Sequence, residues 1–169
     1  MNLQSFVSLS EIVSALSVTL TLVVLVVSIR QNTKSQRVLA VQSLSAAIAA
    51  INVPAMESPA LGSALAKATR DWGSASRDER ILAHFFLFSY FKLVETAWYQ
   101  RRAGALEEEQ WAGWDTVMRI FYHSDGVKLV WWPNRGYAFS PAFRDYLAQT
   151  KPPAEVGALH DIFGDPKPG

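Results

Sequence analysis

Hydrophobic positions along this chain follow two patterns: one unbroken run near the start, then a series of stripes at helical spacing. Residues 12–29 contain no Asp, Glu, Lys or Arg, and residues 20–29 read LTLVVLVVSI. A bilayer core about 30 Å thick needs roughly 17–25 mainly apolar residues in a helix rising 1.5 Å per residue, so the run is long enough to span one. Its β-branched residues suit a helix in lipid, where every backbone group must bond internally. Residues 30–51 contain neither Gly nor Pro, so one helix is predicted from about Glu11 to Ile51. In its second half Val41, Leu44, Ile48 and Ile51 lie three and four apart, a stripe that packs on a domain. Asn52-Val53-Pro54 is expected to break this helix.

Five shorter helices are expected after it. Ser58-Pro59 starts the first, which runs to about Trp72 and ends in a loop at residues 73–76. Ser76 followed by Glu79 is a capping pattern, opening a helix to about Ala103. The middle of that helix, residues 81–91, is apolar on nearly every side, as in a central core helix. Its His84, Lys92 and Glu95 weigh against a second span. Glu107, Glu108 and Glu109 suit the positive end of the next helix, to about Tyr122, whose inner side is Trp111, Trp114, Val117, Met118, Phe121 and Tyr122. A short helix from Ser124 through Trp132 is expected to be halted by Pro133. Ser140-Pro141 opens the last, to about Gln149, with Phe143 and Tyr146 inward. No segment alternates like a strand, so the fold class is all-α: one transmembrane helix continuing into the cytoplasm, then a compact helical domain.

The expected organisation is an N-terminal segment and span at 1–29, a helical domain at 30–150, and a Pro- and Gly-rich tail at 151–169. In the tail, Val156, Leu159, Ile162 and Phe163 form an apolar island. The chain has no cysteine, which removes disulfides, thiolate metal sites and thiol nucleophiles. With 16 basic and 15 acidic residues it has no general attraction for nucleic acid, and no nucleic-acid partner is expected. The local basic bias is Arg30, Lys34 and Arg37, directly after the run, and Glu11 stands before it. Positive charge concentrates on the cytoplasmic flank, which places the N-terminus outside and the domain inside. Glu11 before the run and Arg30-Gln31-Asn32 after it do not match a cleaved signal peptide, so an uncleaved anchor in contact with membrane lipid is expected.

Several of these features recur together. The anchor ends Ile29-Arg30-Gln31-Asn32-Thr33, and the central helix carries Glu95, Tyr99-Gln100 and Arg102-Ala103-Gly104. Trp111, Trp114 and Gly136-Tyr137 follow, leading to Phe143. In this the chain resembles a family of small bacterial single-pass membrane proteins to which no activity is attached. The resemblance covers most of residues 11–147 and implies a bacterial inner-membrane address, without transferring any site residue.

The chain offers little catalytic chemistry. Its three histidines, His84, His123 and His160, stand on separate elements without HxxxH spacing, and neither a Gly-rich phosphate loop nor a GxSxG turn occurs. No catalytic residue, metal or cofactor is expected. Glu95 stands out, because a carboxylate among Phe88, Phe91, Leu93, Val94, Trp98 and Tyr99 must find donors or take up a proton. The expected partner is an arginine (Arg102, Arg119 or Arg135) or a Trp or Tyr head group, and Glu95 with Arg102 forms the candidate buried polar site. The six tryptophans sit mainly at packing positions. Trp131-Trp132 is the exception, since two adjacent indoles on a helix do not face one core, and both are candidate interface aromatics at headgroups or a neighbouring subunit.

Along the anchor, Ser10, Ser14, Ser17, Thr21, Ser28, Gln31 and Ser35 trace a polar seam from two sevenfold series, continued by Gln42 and Ser45. Hydroxyl residues so spaced let helices approach and bond across, at about 0.6–2 kcal/mol each. They also bond back to their own helix. Three functions follow. The first is a non-enzymatic scaffold or accessory subunit that associates with itself or another membrane protein. The second is a homo-oligomeric channel lined by Ser14, Ser17, Thr21 and Ser28. The third is a ligand-sensing or enzymatic domain with a pocket near Glu95.

Overall fold

The computed structural model describes the backbone of residues 3–154 and the side chains of residues 14–154 other than Met56. Among these residues the fold is helical throughout, without a strand. The elements are α1 (Leu3–Glu57), α2 (Pro59–Arg70), α3 (Arg77–Arg102), α4 (Glu108–His123), a π-helical turn (Gly126–Trp131), α5 (Trp132–Arg135), a 3-10 turn (Gly136–Ala138) and α6 (Pro141–Gln149). The all-α expectation holds, and the chain divides into two compact units, 1–39 and 40–169. The structural boundary falls ten residues beyond the expected 29/30, because residues 30–39 are still almost wholly exposed helix. Ser10, the tail's apolar island and His160 lie outside the residues whose side chains are described.

In the first unit α1 is exposed on every side from Ser14 onward. Leu16, Leu20, Leu22, Val24, Leu25 and Ile29 are each about half or more uncovered. The helix contains one stretch long and apolar enough to cross a membrane. In the second unit the same helix turns Leu44 into the core, with Val41, Ile48 and Ile51 packed against it, as their spacing predicts. Asn52-Val53-Pro54 does not break the helix, which carries Pro54 inside it and stops at Glu57. Pro54 has a helical φ and stands in the last turn, so its missing N–H and the crowding of its ring against the preceding turn do not prevent one more turn before Ser58-Pro59.

The core of the second unit is built around α3. Ala83, Leu87, Phe91, Val94 and Ala97 follow one face at spacings of three and four and are fully covered. Burying a side chain such as Phe91 contributes about 1.5–3 kcal/mol. The expected all-round burial of residues 81–91 is not seen: Ile81, Leu82 and especially Phe85 face outward. At the start of α3 the Ser76 N–H donates to Glu79 Oε2 at 2.7 Å and the Glu79 N–H to Ser76 Oγ at 3.2 Å, the reciprocal cap its sequence predicts. Its far end turns on Gly104, at φ 71°, where the Ala105 and Gly104 N–H groups donate to the Gln100 and Arg101 carbonyls. That left-handed step costs a Cβ-bearing residue about 1–2 kcal/mol and glycine almost nothing.

α4 buries Trp111, Met118, Phe121 and Tyr122, half-buries Trp114, and leaves the expected inner residue Val117 on the surface. After it the chain enters the π turn, where Gly126 lies against α2. A Cβ there would stand 1.8 Å from the Ala68 carbonyl oxygen, so only glycine permits this crossing. Pro133 does not halt the chain but sits in the first turn of α5, which runs on to Arg135. In α6, Ser140 Oγ accepts from the Phe143 N–H, and Phe143 and Leu147 are fully buried, with Tyr146 half-buried.

Candidate functional site

Glu95 is 8% exposed, as its apolar neighbours predict. Its partners are not the expected arginines. Oε1 accepts the Ser140 N–H at 2.7 Å, and Lys92, one turn earlier, brings Nζ to 3.0 Å from Oε2. The same ammonium donates to the Ala138 carbonyl and lies 4.5 Å from the centre of the Phe139 ring. Ser140 also accepts a bond from the Tyr99 hydroxyl at 2.9 Å. Burial works against the carboxylate, but the Ser140 N–H and Lys92 outweigh it and hold Glu95 below the usual range. α3 thus grips residues 138–140 and fixes the start of α6. Arg102 takes no part: it is exposed, with its guanidinium 4.7 Å over Trp98, because the two-turn step from Glu95 brings it to the end of α3. Arg119 instead pairs with Asp115 at 2.9 Å.

The two adjacent indoles are also placed differently from the expectation. Trp131 is buried, with its ring centre 5.6 Å from that of Phe91, and half-buried Trp132 lies 5.4 Å from the same ring and 5.0 Å from Phe139. Both reach the Phe91 ring although their backbone is ordinary helix, so two adjacent indoles share one core, with Trp131 covered and Trp132 at its margin. In the first unit, Ser14, Ser17, Thr21, Ser28, Gln31 and Ser35 are all exposed on α1. The Thr21 hydroxyl donates to the Ser17 carbonyl at 2.8 Å, and Thr19 and Thr33 donate to Ala15 and Ile29 in the same way.

Two clefts of the second unit are not lined by Glu95. One, of about 510 Å³, lies among Ile48, Phe86, Tyr90, Trp114, Val117 and Phe121. Burial pushes the Tyr90 phenol up. The other, of about 530 Å³, is lined by Arg77, Arg80, Arg135, His84, Trp72 and Trp131, with Ile81, Phe85, Val130 and Asn134 completing it. It holds three arginines and no carboxylate. His84 Nδ1 accepts the Trp131 indole N–H at 3.1 Å, so the neutral ring carries its proton on Nε2. Burial, followed by the charge of Arg135, lowers the His84 pKa.

This cleft was not anticipated from sequence, although half of it was legible. Arg77, Arg80, Ile81 and His84 lie three and four apart, on one face of a helix whose start is firmly predicted. Arg135 joins them only through the fold. No protein-family model, curated protein or solved structure matches the chain.

Proposed function

We propose that this chain is a single-pass bacterial inner-membrane protein, N-terminus outside, whose cytoplasmic helical domain acts without catalysis as a self-associating scaffold or as an accessory subunit of a membrane complex. The observation that carries the reading is α1. Its apolar residues 14–29 are uncovered on every side, and further along it Leu44 enters the domain core. So long an apolar surface exceeds the patches that soluble monomers normally expose, and lipid or other spanning helices would cover it. The family resemblance and the Arg30, Lys34, Arg37 flank support the address and orientation.

Self-association is assigned to the seam of Ser14, Ser17, Thr21 and Ser28. The Thr21 bond to its own helix engages that hydroxyl's proton, so close approach of small side chains, more than hydroxyl bonding by Thr21, would join the helices. The same bond weighs against a channel lined by free hydroxyls. Since the chain has no native cysteine, single cysteines placed at Ser17 and Ser28 report without background. The expected result is disulfide-linked dimers at both positions in native membranes, and an oligomer by native mass spectrometry in mild detergent. A monomer by mass with no crosslink at either position overturns self-association. Extraction of the protein by alkaline carbonate overturns the anchor.

A further inference from the structure

The cleft between the start of α3 and the π turn with α5 combines two chemistries, cationic and aromatic. Arg77, Arg80 and Arg135 present three guanidiniums, and none of them pairs with a carboxylate among the described residues. The nearest acids in sequence are engaged or outside the lining. Glu79 is bound to Lys67 at 2.6 Å and to the Ser76 N–H, and Asp78 is exposed and does not line the cleft. Arg77 and Arg80 also lie in the first turn of α3, where the helix dipole adds positive potential and cations are disfavoured. With Arg135 the cleft is lined by three like charges, and an anion bound in it would offset their repulsion.

The walls supply the second chemistry. Trp72 and Phe85 give flat apolar surface over the buried Trp131, and Phe85 remains 65% exposed although it belongs to the helix at the centre of the core. His84 offers a fixed donor at Nε2, because its Nδ1 is occupied by Trp131. Guanidinium forks match the oxygens of phosphate and carboxylate, and indole and phenyl faces match a ring or chain attached to them. A volume of about 530 Å³ is the size of a pocket for a small organic molecule.

We propose that this cleft binds a phosphate monoester with an apolar or aromatic body, with Arg77, Arg80 and Arg135 on the phosphate and Trp72 and Phe85 against the body. The site makes the domain a receiver of a small anionic ligand, a role separate from the membrane anchor and independent of the oligomeric state.

The test uses the full chain in phosphatidylcholine nanodiscs, with 1-naphthyl phosphate as probe and isothermal calorimetry as readout. Saturable binding is expected, with 1-naphthol and inorganic phosphate each at least about tenfold weaker because each offers only half of the contacts. Arg77→Gln and Arg135→Gln change exposed side chains and should leave the thermal melt unchanged while weakening the probe at least about tenfold. Phe85→Ala should weaken the naphthyl ester and leave inorganic phosphate unaffected. Absence of saturable binding, or binding that neither arginine variant alters, overturns the proposal. Adding phosphatidic acid to the nanodisc distinguishes the source of the ligand: displacement of the probe supports the site with a lipid headgroup as occupant, and undiminished probe binding supports it with a soluble one.

Discussion

Glu95 owes its ionised state to two donors, the Ser140 N–H and Lys92, acting against the cost of its burial. A carboxyl whose folded pKa lies below its unfolded value stabilises the fold above the unfolded pKa, about 4.3 for glutamate, and that stability is lost as pH falls through the folded value. Glu95→Gln keeps the shape and an acceptor but removes the charge. It should cost about 1–2 kcal/mol at pH 7, and the difference from wild type should shrink toward zero as pH drops below about 4, measured by denaturant unfolding at each pH. A penalty that persists in acid would mean that the charge is not what Glu95 contributes. The burial of Glu95 was readable from its apolar neighbours, whereas its partners were not. Lys92 was visible one turn away, but the decisive donor is a backbone N–H 45 residues on, and no side-chain pattern announces a backbone group.

Helix starts were the most legible elements, because capping chemistry is local: Ser76 with Glu79 and Ser140 with Pro141 each mark a helix that forms where expected. Prolines were less legible, since Pro54 and Pro133 act through the helix position they occupy and not through mere presence. Glycines divide in the same way. Gly126 and Gly113 both lie in helical segments, yet a Cβ on Gly126 would run into the Ala68 backbone carbonyl and one on Gly113 would meet nothing within 4 Å. Gly126→Ala should destabilise the domain by about 3 kcal/mol through forced separation of the π turn from α2. Gly113→Ala should stabilise it by about 0.5–1 kcal/mol by restricting the unfolded chain in the middle of α4. Thermal melts of the two variants in parallel check both signs, and equal shifts would refute the close crossing.

For the whole molecule, the long helix and the all-α class were legible because both rest on composition and period, while the clefts depend on residues that the fold alone brings together. The two compact units predict their own separability. A chain starting at Ala40 retains Leu44, Val41, Ile48 and Ile51, so it should keep its helical circular dichroism and unfold in one cooperative transition. A non-cooperative melt would show that the first unit is needed for folding. The π turn gives the molecule a further property. It closes its hydrogen bonds five residues apart instead of four, so the chain beyond it is carried at a different rotational phase. Deleting one residue between Gly126 and Trp131 would act less as a shortening than as a rotation of about 100° for everything that follows, Trp132 and Arg135 included. In this stretch Lys128 and Leu129 are exposed and their identity is open to change. The number of residues is not.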